Sequence, residues 1–548
     1  MTRPLPTTRL VSPAKENPVS ERVYGIDLGT TYSAIAYIND FNQAEVLKNF
    51  DEAQTTASVV YFEADSEAVV GAEAKKVQLT DPDNSCSLIK RHMGTEYPQE
   101  FRGQMYTPEK ISALILKALV KTADSELGEE VHKVVITVPA YFGVKEKEAT
   151  KQAGQIAGLE VVGIVTEPVA AALSLGIRGE QPETILVYDL GGGTFDATVM
   201  RVEAGKVDVV AIDGMERLGG ADWDAVLAQL IADKFVAQAG LGDDNPRDDA
   251  EFEVELLGDA ETTKKSLTVR ESATVRCRYQ DRDEQVVVTR SEFEEATRHL
   301  VADTIKVSKR IVETAQAKIP GLTVDRVLLV GGSSKMPMID SALREQLGWT
   351  PVKSDFDLAV AKGAAIYGQA AIEEILSTDG SEVQVSDDAK EQYFLGGSKT
   401  LSVTNVLSRG LGVRFQKRAG DGAYIGFLVE ANATLPATPD PVPARTTSDG
   451  GPVIALYEQG GERLAPDEED NAPEDHRLLQ EKQLPVPSLP KGSQINVTLT
   501  VTAEGLARVN AQDPSSGQSV EVEAQISVLS KEEVAQAAEE VSGISLRT

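Results

Sequence analysis

The chain has 548 residues and a formal net charge of −32, from 54 basic and 86 acidic residues. One hydrophobic core does not grow to this size, so the length predicts about two to four domains. Hydrophobic residues make up 41% of the chain, an ordinary share for a globular protein. So acidic a chain repels a nucleic-acid backbone, which excludes nucleic acid as an expected partner.

The start of the chain and the cysteines bear on its location. Residues 1–20 carry prolines and charges but no apolar run, so they predict a disordered tail and not a signal peptide. No stretch of the sequence approaches the length of a membrane span. The two cysteines, Cys86 and Cys277, lack metal-type or Cys-x-x-Cys spacing. Few cysteines fit a reducing compartment, and a cytoplasmic protein is expected.

From about residue 22 to 375, β-type apolar runs alternate with helical periodicity, which predicts α/β layers. The run VHKVVITV at 131–138 is typical of a strand, and Pro139 ends it. Thr107 is a candidate N-cap ahead of Pro108 at the first helical turn. The apolar face of the helix that follows is Ile111, Leu114, Ile115, Ala118 and Leu119.

The sequence also contains two segments that resemble each other. VYGIDLGTTYSAIAYI at 23–38 and ILVYDLGGGTFDATVM at 185–200 each run from a β segment through an Asp and a Gly/Thr turn into a second β segment. Two such hairpins predict two related halves that face each other. A third run, RVLLVGGSSKMP at 326–337, is again a strand that ends in glycines.

The two Gly/Thr turns are candidates for a phosphate cradle. Gly29 can adopt positive φ and let backbone N–H groups approach a ligand. Asp27 and Asp189 each leave a strand as a carboxylate that can orient waters on Mg²⁺. The glycines at 191–193 are costly in a strand unless backbone comes close to something. One loop alone is explained as well by a hairpin turn, but the matched pair favours a nucleotide site. No GxxxxGK[ST] occurs, which argues against a P-loop enzyme.

The pattern changes in the last third of the chain. Residues 376–400 are polar and acidic, which predicts a solvated linker. After about residue 401, short alternating segments separated by turn residues predict a β-sandwich. Ser530 and Glu533 have capping-box spacing, so a short helix is expected from about residue 531. The predicted tail, α/β domain, linker, sandwich and C-terminal helix are 1–20, 21–378, 379–405, 406–529 and 530–548.

Seven segments of the N-terminal region carry a resemblance to a known family. They are VVITVPAYF at 134–142, QIAGLEVVGIVTEPVAAAL at 155–173, DLGGGTFD at 189–196, LIKRHMG at 88–94, RLGGADWD at 217–224, VGGSSKMP at 330–337 and AVAKGAA at 359–365. Taken together, these motifs resemble the seventy-kilodalton heat-shock chaperones, the Hsp70 family, and its DnaK-like members in particular. The resemblance runs from about 22 to 375 and resumes at 401–533. It implies an α/β actin-like ATPase, with two duplicated lobes around a nucleotide cleft, followed by an all-β sandwich that binds peptide, and it implies that most of the family's helical lid is missing.

The resemblance assigns roles to residues at the nucleotide. Asp27, Glu167 and Asp189 would hold a hydrated Mg²⁺, while Lys90 would place and polarise the γ-phosphate and the attacking water. Phosphoryl transfer relies on positioning and charge neutralisation, which these residue types supply. The implied catalytic residues are Lys90, Glu167, Asp189 and Thr194. The implied cofactors are ATP or ADP, Mg²⁺ and also K⁺. The other implied nucleotide contacts are Asp27, Gly29, Thr30, Thr31, Tyr32, Gly191, Gly192, Gly193, Gly219, Gly220, Glu261, Lys264, Thr268, Gly331, Gly332, Lys335 and Asp357.

The resemblance also implies coupling and peptide-binding positions. Pro139 and Lys147 would relay nucleotide state, although Lys147 stands where the family usually has arginine, which is not an equivalent donor. The sandwich would grip an extended hydrophobic peptide through backbone hydrogen bonds and an apolar pocket. The implied groove positions are Val413, Phe415, Gln416, Thr446 and Val453. A simple core role stays open for the valines.

The segment between the two domains departs from the family. In the family, a run of leucines followed by an aspartate links the two domains. The corresponding residues here are Leu401, Ser402, Val403, Thr404 and Asn405. Burial of one leucine side chain contributes roughly 1.5–3 kcal/mol. If both polar residues occupy buried sites, the sequence predicts weak docking of the β domain. The alternative is that the groove accepts this linker well.

The implied function is that of a chaperone that hydrolyses ATP to regulate binding and release of extended hydrophobic segments of unfolded proteins. The implied partners are unfolded clients, a J-domain co-chaperone and a nucleotide-exchange factor, with a monomer expected and no membrane partner. A small-molecule kinase on the same core is one alternative, but it would not need the β domain. A scaffold or filament former is another, and the set Lys90, Glu167, Asp189 and Thr194 argues against it.

Overall fold

The computed structural model describes most of the chain. The tail at 1–20, most of the predicted linker, and Asp357 lie outside the described residues. The described ranges are 22–175, 182–203, 205–242, 244–353, 358–372, 376–377, 401–417, 422–446, 453–461, 468–483, 489–503, 505, 507–512, 514, 519–523 and 529–548.

The first half of the N-terminal domain, here called lobe I, is built on a mixed sheet in the order β11-β10-β1-β2-β3. Strand β1 pairs with β10 in parallel and with β2 antiparallel. Tyr24 and Ile26 share a core with α2 and α3 on one face, while Gly25 faces α10 on the other. The elements of lobe I are β1 Val23–Asp27, β2 Tyr32–Ile38, β3 Ala44–Val46, β4 Thr56–Ala57, β5 Val60–Ala64, β6 Glu67–Val70, α1 Ala72–Val77, β7 Ser85–Cys86, β8 Gln99–Phe101, β9 Gln104–Tyr106, α2 Pro108–Leu127, β10 Lys133–Val138, α3 Val144–Ile156, β11 Glu160–Thr166, α4 Glu167–Ser174 and α10 Ala359–Ile372.

The second half, lobe II, repeats this arrangement. Its sheet has the order β18-β17-β12-β13-β14-β20-β19. Strand β12 pairs with β17 in parallel and with β13 antiparallel, as β1 does with β10 and β2. The predicted relation between the two hairpins is therefore confirmed. The elements of lobe II are β12 Glu183–Leu190, β13 Phe195–Glu203, β14 Lys206–Met215, α5 Gly220–Ala239, α6 Ala250–Val269, β15 Ser272–Tyr279, β16 Arg282–Thr289, α7 Arg290–Ala296, α8 Arg298–Lys318, β17 Arg326–Val330, α9 Pro337–Leu347, β18 Pro351–Lys353, and the later strands β19 Leu376–Ser377 and β20 Leu401–Thr404.

Local signals set the helix ends that the sequence predicts. The Thr107 side chain accepts a hydrogen bond from Lys110 N, Pro108 occupies the first helical position, and Gly128 ends α2 in the left-handed conformation. Ser530 forms a capping box with Glu533. The predicted starts of both helices are confirmed.

The described residues of the C-terminal β domain form two four-stranded sheets that share one hydrophobic core. The sheet orders are β22-β21-β24-β25 and β23-β26-β27-β28. Leu411 and Leu456 from the first sheet meet Val497 and Leu499 from the second in this core. Its strands are β21 Leu411–Gln416, β22 Ala423–Val429, β23 Val442–Arg445, β24 Val453–Glu458, β25 Arg477–Gln483, β26 Gln494–Val501, β27 Ala507–Gln512 and β28 Ser519–Glu523.

The end of the predicted linker is a strand of lobe II. Strand β20 pairs in parallel with β14, and Leu401 and Val403 are 0% and 2% exposed in the lobe core. Ser402 and Thr404 are only half-buried, because successive residues of a strand point to opposite faces. Ser402 Oγ itself is buried without a hydrogen-bond partner among the described residues. The condition for weak docking, two polar residues at buried sites, is therefore met in part by Ser402 and was wrong for Thr404.

The last described elements are a helix, α11 at Lys531–Ser542, and a strand, β29 at Ser545–Arg547. The sequence predicts the helix as a remnant of a lid, but the structure packs α11 against α2 and α3 of lobe I. The strand, which the sequence analysis missed, pairs with β6 of the same lobe. No helix in the described part of the chain is long and apolar enough to cross a membrane.

Candidate nucleotide-binding and catalytic site

A cavity of about 1020 Å³ lies between the two lobes, where the β1–β2 and β12–β13 turns face each other. Its volume is at the upper end of the usual range for small-molecule sites, roughly 300–1,000 Å³. Helix α1 of lobe I, helices α5 and α6 of lobe II and the turn after β17 also line it. The sequence-predicted residues that line it are Asp27, Gly29, Thr30, Thr31, Tyr32, Lys90, Glu167, Asp189, Gly191, Gly192, Thr194, Glu261, Lys264, Thr268, Gly331, Gly332 and Lys335.

The glycines allow the two turns to approach closely. A Cβ atom on Gly192 would lie 2.1 Å from the Thr31 side chain, and one on Gly193 would lie 2.4 Å from Thr30. Gly331 has a backbone φ of 79°, which residues other than glycine rarely adopt. A Cβ atom at this position would also meet the backbone of Leu190. The glycine run therefore serves contact between the hairpins.

Gly193, Gly219 and Gly220 lie just behind the cavity wall and do not line it. A Cβ on Gly219 would lie 2.5 Å from the backbone of Gly193, and one on Gly220 would lie 2.3 Å from Ser333 Oγ. The start of α5 is thereby packed directly against the β12–β13 turn.

The catalytic candidates form a buried cluster of charges. Lys90 Nζ lies 2.5 Å from Glu167 Oε1, and the two residues are 5% and 9% exposed. Burial, reinforced by Glu167, Asp196 and Asp27, raises the pKa of Asp189 well above its usual range. This crowding of carboxylates around one lysine favours a bound cation.

The carboxylates fit a cation that is held through its waters. Asp27, Glu167 and Asp189 line the same cavity. Within the described ranges, no group of three or more His, Cys, Asp or Glu side chains is close enough to hold a metal directly. Mg²⁺ dehydrates reluctantly and usually keeps several waters, so such an arrangement suits it.

A polar cluster that the sequence analysis missed joins the lobes across the cavity mouth. Lys75 of α1 forms an ion pair with Glu261 of α6, and Lys265 Nζ lies 2.7 Å from Glu261 Oε1. Tyr32 Oη accepts hydrogen bonds from both lysines, at 3.0 and 3.2 Å. Burial alone would raise the pKa of Glu261, but the lysines outweigh it and lower this pKa to about 2. Glu261, predicted at the nucleotide, therefore also holds the lobes together.

Replacement of Lys75 by alanine should open this cluster and speed nucleotide release. The ion pair is partly exposed, so its loss should cost about 1 kcal/mol and raise the release rate roughly threefold to tenfold. The matched control is Lys76→Ala, which removes an exposed lysine from the same helix. Displacement of a fluorescent nucleotide measures both rates, and equal rates in the two variants would contradict a role for the cluster.

Two further contacts near the turns were missed. Arg91 of lobe I donates to Gly193 O at 2.7 Å and pairs with Asp222 at 3.0 Å in lobe II. Lys264 Nζ lies 2.7 Å from Asp224 Oδ2. The motifs LIKRHMG and RLGGADWD contain three of these residues, but neither motif by itself reveals that they meet.

The predicted relay positions lie between this site and the β domain. Pro139 ends β10, and Tyr141 N, two residues later, donates to Asp196 Oδ1 at 3.3 Å. Lys147 lies in the second turn of α3. Burial lowers the pKa of Lys147, and Glu458 and Glu146 offset part of this effect.

The start of α3 contacts the β domain. Its N-cap, Gly143, supplies no side-chain cap, and Val144 N donates instead to Glu458 Oε1 at 3.2 Å. A Cβ on Gly143 would lie 2.1 Å from that oxygen, and Val144 belongs to the hydrophobic core of the β domain. The β domain thus completes a helix that begins five residues after Pro139.

Salt bridges and backbone contacts extend this interface. Arg477 pairs with Glu146 at 2.5 Å, and Arg409 lies 3.5 Å from both Glu146 and Glu458. On lobe II, Ile212 N donates to Asn432 Oδ1 at 2.7 Å. The β domain therefore contacts both lobes.

The predicted peptide-groove positions do not share one environment. Val413 is 3% exposed in the β-domain core, and Thr446 is buried, with its Oγ1 donating to Pro490 O at 2.8 Å. Phe415 is half-buried against Tyr424. The two positions most open to solvent are Gln416 and Val453.

Comparison with known families bears on the N-terminal domain. The family model described as Hsp70 protein matches residues 23–102 and 99–387. The matched residues cover about two thirds of the chain and include both hairpins and every residue that lines the cavity.

Proposed function

The chain belongs to the Hsp70 family, whose N-terminal domain is an actin-like ATPase, and on that premise we propose that it is an ATP-dependent chaperone for extended hydrophobic segments of unfolded proteins. The observation that supports this most strongly is the pairing of two features. A cleft lined by both Gly/Thr turns contains Lys90, Glu167 and Asp189, and a β domain contacts both lobes around it.

In the proposed reaction, water attacks the γ-phosphorus of ATP, the bond to the β,γ-bridging oxygen breaks, and ADP and phosphate leave. Lys90 Nζ would neutralise charge that develops on the γ-phosphoryl oxygens, and Glu167 holds this ammonium in place. Thr194 and the turn backbone would bind phosphate oxygens. Mg²⁺, held through water by Asp27, Glu167 and Asp189, would supply charge neutralisation.

Nucleotide state would control the β domain through the interface at α3. The segment from Pro139 to Val144 connects Asp196, beside the catalytic carboxylates, to Glu458 of the β domain. A ligand shifts such an equilibrium only by its differential affinity for the two states. ATP would favour the docked arrangement, and hydrolysis would release the β domain into a state that binds peptide more tightly.

The partners in this proposal are unfolded polypeptides, a J-domain co-chaperone and a nucleotide-exchange factor, and the proposed compartment is the cytoplasm. A kinase for small molecules on the same core would have no use for the β domain. Contacts join that domain to both lobes around the cleft, and the one that Glu458 makes to Val144 N is buried, with Glu458 1% exposed. This favours the chaperone.

Comparison of peptide affinity with ATP and with ADP tests the proposed function directly. An unfolded fluorescent peptide should bind more weakly and dissociate faster with ATP, and it should stimulate hydrolysis. If neither nucleotide alters peptide binding while ATP is still hydrolysed, the coupled chaperone function is wrong.

The variant Val453→Asp should weaken peptide binding. Val453 is 52% exposed at the start of β24, and a carboxylate there would oppose an apolar peptide side chain. We expect roughly a tenfold loss of affinity, the scale of one buried apolar contact. The matched control is Val287→Asp, at a valine that is 47% exposed on β16 of the N-terminal domain. Equal peptide affinities in the two variants would show that Val453 does not contact the bound peptide.

A further inference from the structure

The side chain of Arg91 joins the catalytic lysine of lobe I to the β12–β13 turn of lobe II. Arg91 follows Lys90 in a single 3₁₀ turn, Ile89–His92. Its Nε and Nη2 both donate to Gly193 O, at 3.0 and 2.7 Å, and Nη2 also lies 3.0 Å from Asp222 Oδ2. One side chain therefore connects the turn that carries Lys90 to the Gly/Thr turn on the other side of the cleft.

The carbonyls of three successive glycines in the β12–β13 turn, residues 191–193, are each bound. The first two accept hydrogen bonds from the first N–H groups of α5, at 2.9 and 2.8 Å, and Arg91 holds the third, Gly193 O. In a planar trans peptide, the C=O of one residue and the N–H of the next point in opposite directions. By fixing the Gly193 carbonyl, Arg91 therefore also fixes the direction of the Thr194 N–H.

The second partner of Arg91 is held at the start of α5. Asp222 Oδ2 also accepts a hydrogen bond from Gly219 N, at 2.7 Å. A Cβ atom on Gly193 would lie 3.0 Å from Arg91 Nε, so the guanidinium lies directly against the turn. A guanidinium can bind both partners at once because its N–H groups form a rigid planar fork, which a lysine ammonium lacks.

This contact differs from the cluster of Lys75, Glu261 and Lys265 at the cavity mouth. That cluster joins the lobes through α1 and α6, away from the residues that carry out the proposed reaction. Arg91 is adjacent in sequence to Lys90, and its side chain is 15% exposed. Its loss should therefore change the geometry around the reacting phosphate.

We propose that Arg91 is a positioning residue for ATP hydrolysis, which keeps the β12–β13 turn of lobe II in register with Lys90 of lobe I. Lys90 and this turn would hold opposite sides of the γ-phosphoryl group, so fast hydrolysis requires a fixed separation between them. A displacement of about 1 Å, even one caused far from the reacting atoms, can cost roughly a hundredfold in rate. The inference rests on the proposed function, because it concerns the same site.

Single-turnover hydrolysis by the full chain tests it with variants of two neighbouring residues. Arg91→Ala removes the contact between the two turns, whereas His92→Ala changes the same 3₁₀ turn but removes a ring that stacks on Tyr97 within lobe I. The rate should fall roughly tenfold to a hundredfold in Arg91→Ala and stay near normal in His92→Ala. Arg91→Lys keeps the charge but not the fork, so its rate should lie between these two. The affinity for ADP should change little in all three variants, which also shows that their clefts are folded.

Hydrogen exchange without nucleotide reports on the turn separately from the reaction. Amides of residues 191–194 should exchange faster in Arg91→Ala than in His92→Ala, because the turn has lost one of its anchors. Equal hydrolysis rates in these two variants would overturn the proposal, and so would equal exchange in the turn. A loss of ADP affinity as large as the loss of rate would also overturn it, since that result indicates lost binding and not lost positioning. Absence of hydrolysis in the unchanged protein would instead overturn the proposed function, and this inference with it.

Discussion

Replacement of Lys90 by alanine should lower single-turnover ATP hydrolysis by roughly a hundredfold or more, the usual scale for one electrostatic donor in an active site. Lys90 Nζ lies 2.5 Å from Glu167 in the cleft and is nearly inaccessible to solvent. The positive charge of Lys90 stabilises the transition state most, because negative charge develops there. The variant should therefore change the affinity for nucleotide much less than the rate of hydrolysis. Rapid-quench measurement of hydrolysis and equilibrium titration of nucleotide separate the two effects.

Two further variants make this test specific. Lys90→Gln keeps a hydrogen-bond donor for Glu167 but removes the positive charge, so it should be nearly as slow as the alanine variant. Lys306→Ala removes an exposed lysine from α8 and should hydrolyse ATP normally. Hydrolysis at the normal rate in Lys90→Ala, with nucleotide still bound, would remove Lys90 from the mechanism.

Paired replacement of Leu401 and Val403 by serine should undock the β domain. Both side chains are enclosed in the hydrophobic core that the lobe II sheet shares with α4 and α10, and burial of each contributes roughly 1.5–3 kcal/mol. The sum exceeds the few kcal/mol that commonly separate two conformations of one protein. Amides of β14, the partner of β20, should then exchange faster, and peptide should no longer stimulate hydrolysis.

The matched control replaces the two residues on the other face of the same strand. Ser402→Leu with Thr404→Leu changes two half-buried side chains on the opposite face of the strand, so docking and peptide stimulation should change much less than with the serine pair. A large gain of stimulation in this control would mean that the natural linker docks weakly. That outcome would restore the interpretation drawn from the sequence.

Features of the fold that depend on neighbouring residues were predictable. Thr107 with Pro108 and Ser530 with Glu533 mark helix starts, because a cap is made within three residues of the first turn. The two hairpins, with Asp27 and Asp189 at matching places, predicted two related lobes and a shared site between them. The residues lining the cavity largely followed from those motifs and from the resemblance.

Features that join distant parts of the chain were not predictable. The partners Lys75 and Glu261 are 186 positions apart, and Glu458 completes a helix that begins 314 positions earlier. Neither lysine nor glutamate carries a local signal for such a partner. Lys75 lies among ordinary charged residues of α1, and Glu458 ends a strand whose pattern indicates only that it is a strand.

The sequence by itself determined the family, the two lobes, the nucleotide turns and the existence of a β domain and a final helix. Those properties follow from short motifs and from apolar residues that recur every two residues in strands or every 3.6 residues in helices. Only the tertiary structure decided which face of residues 401–404 is buried, that Glu458 caps α3, and that residues 529–547 lie on lobe I. Each of these depends on which surface a segment meets, and a strand edge or an apolar stripe specifies that a partner is needed without specifying which one.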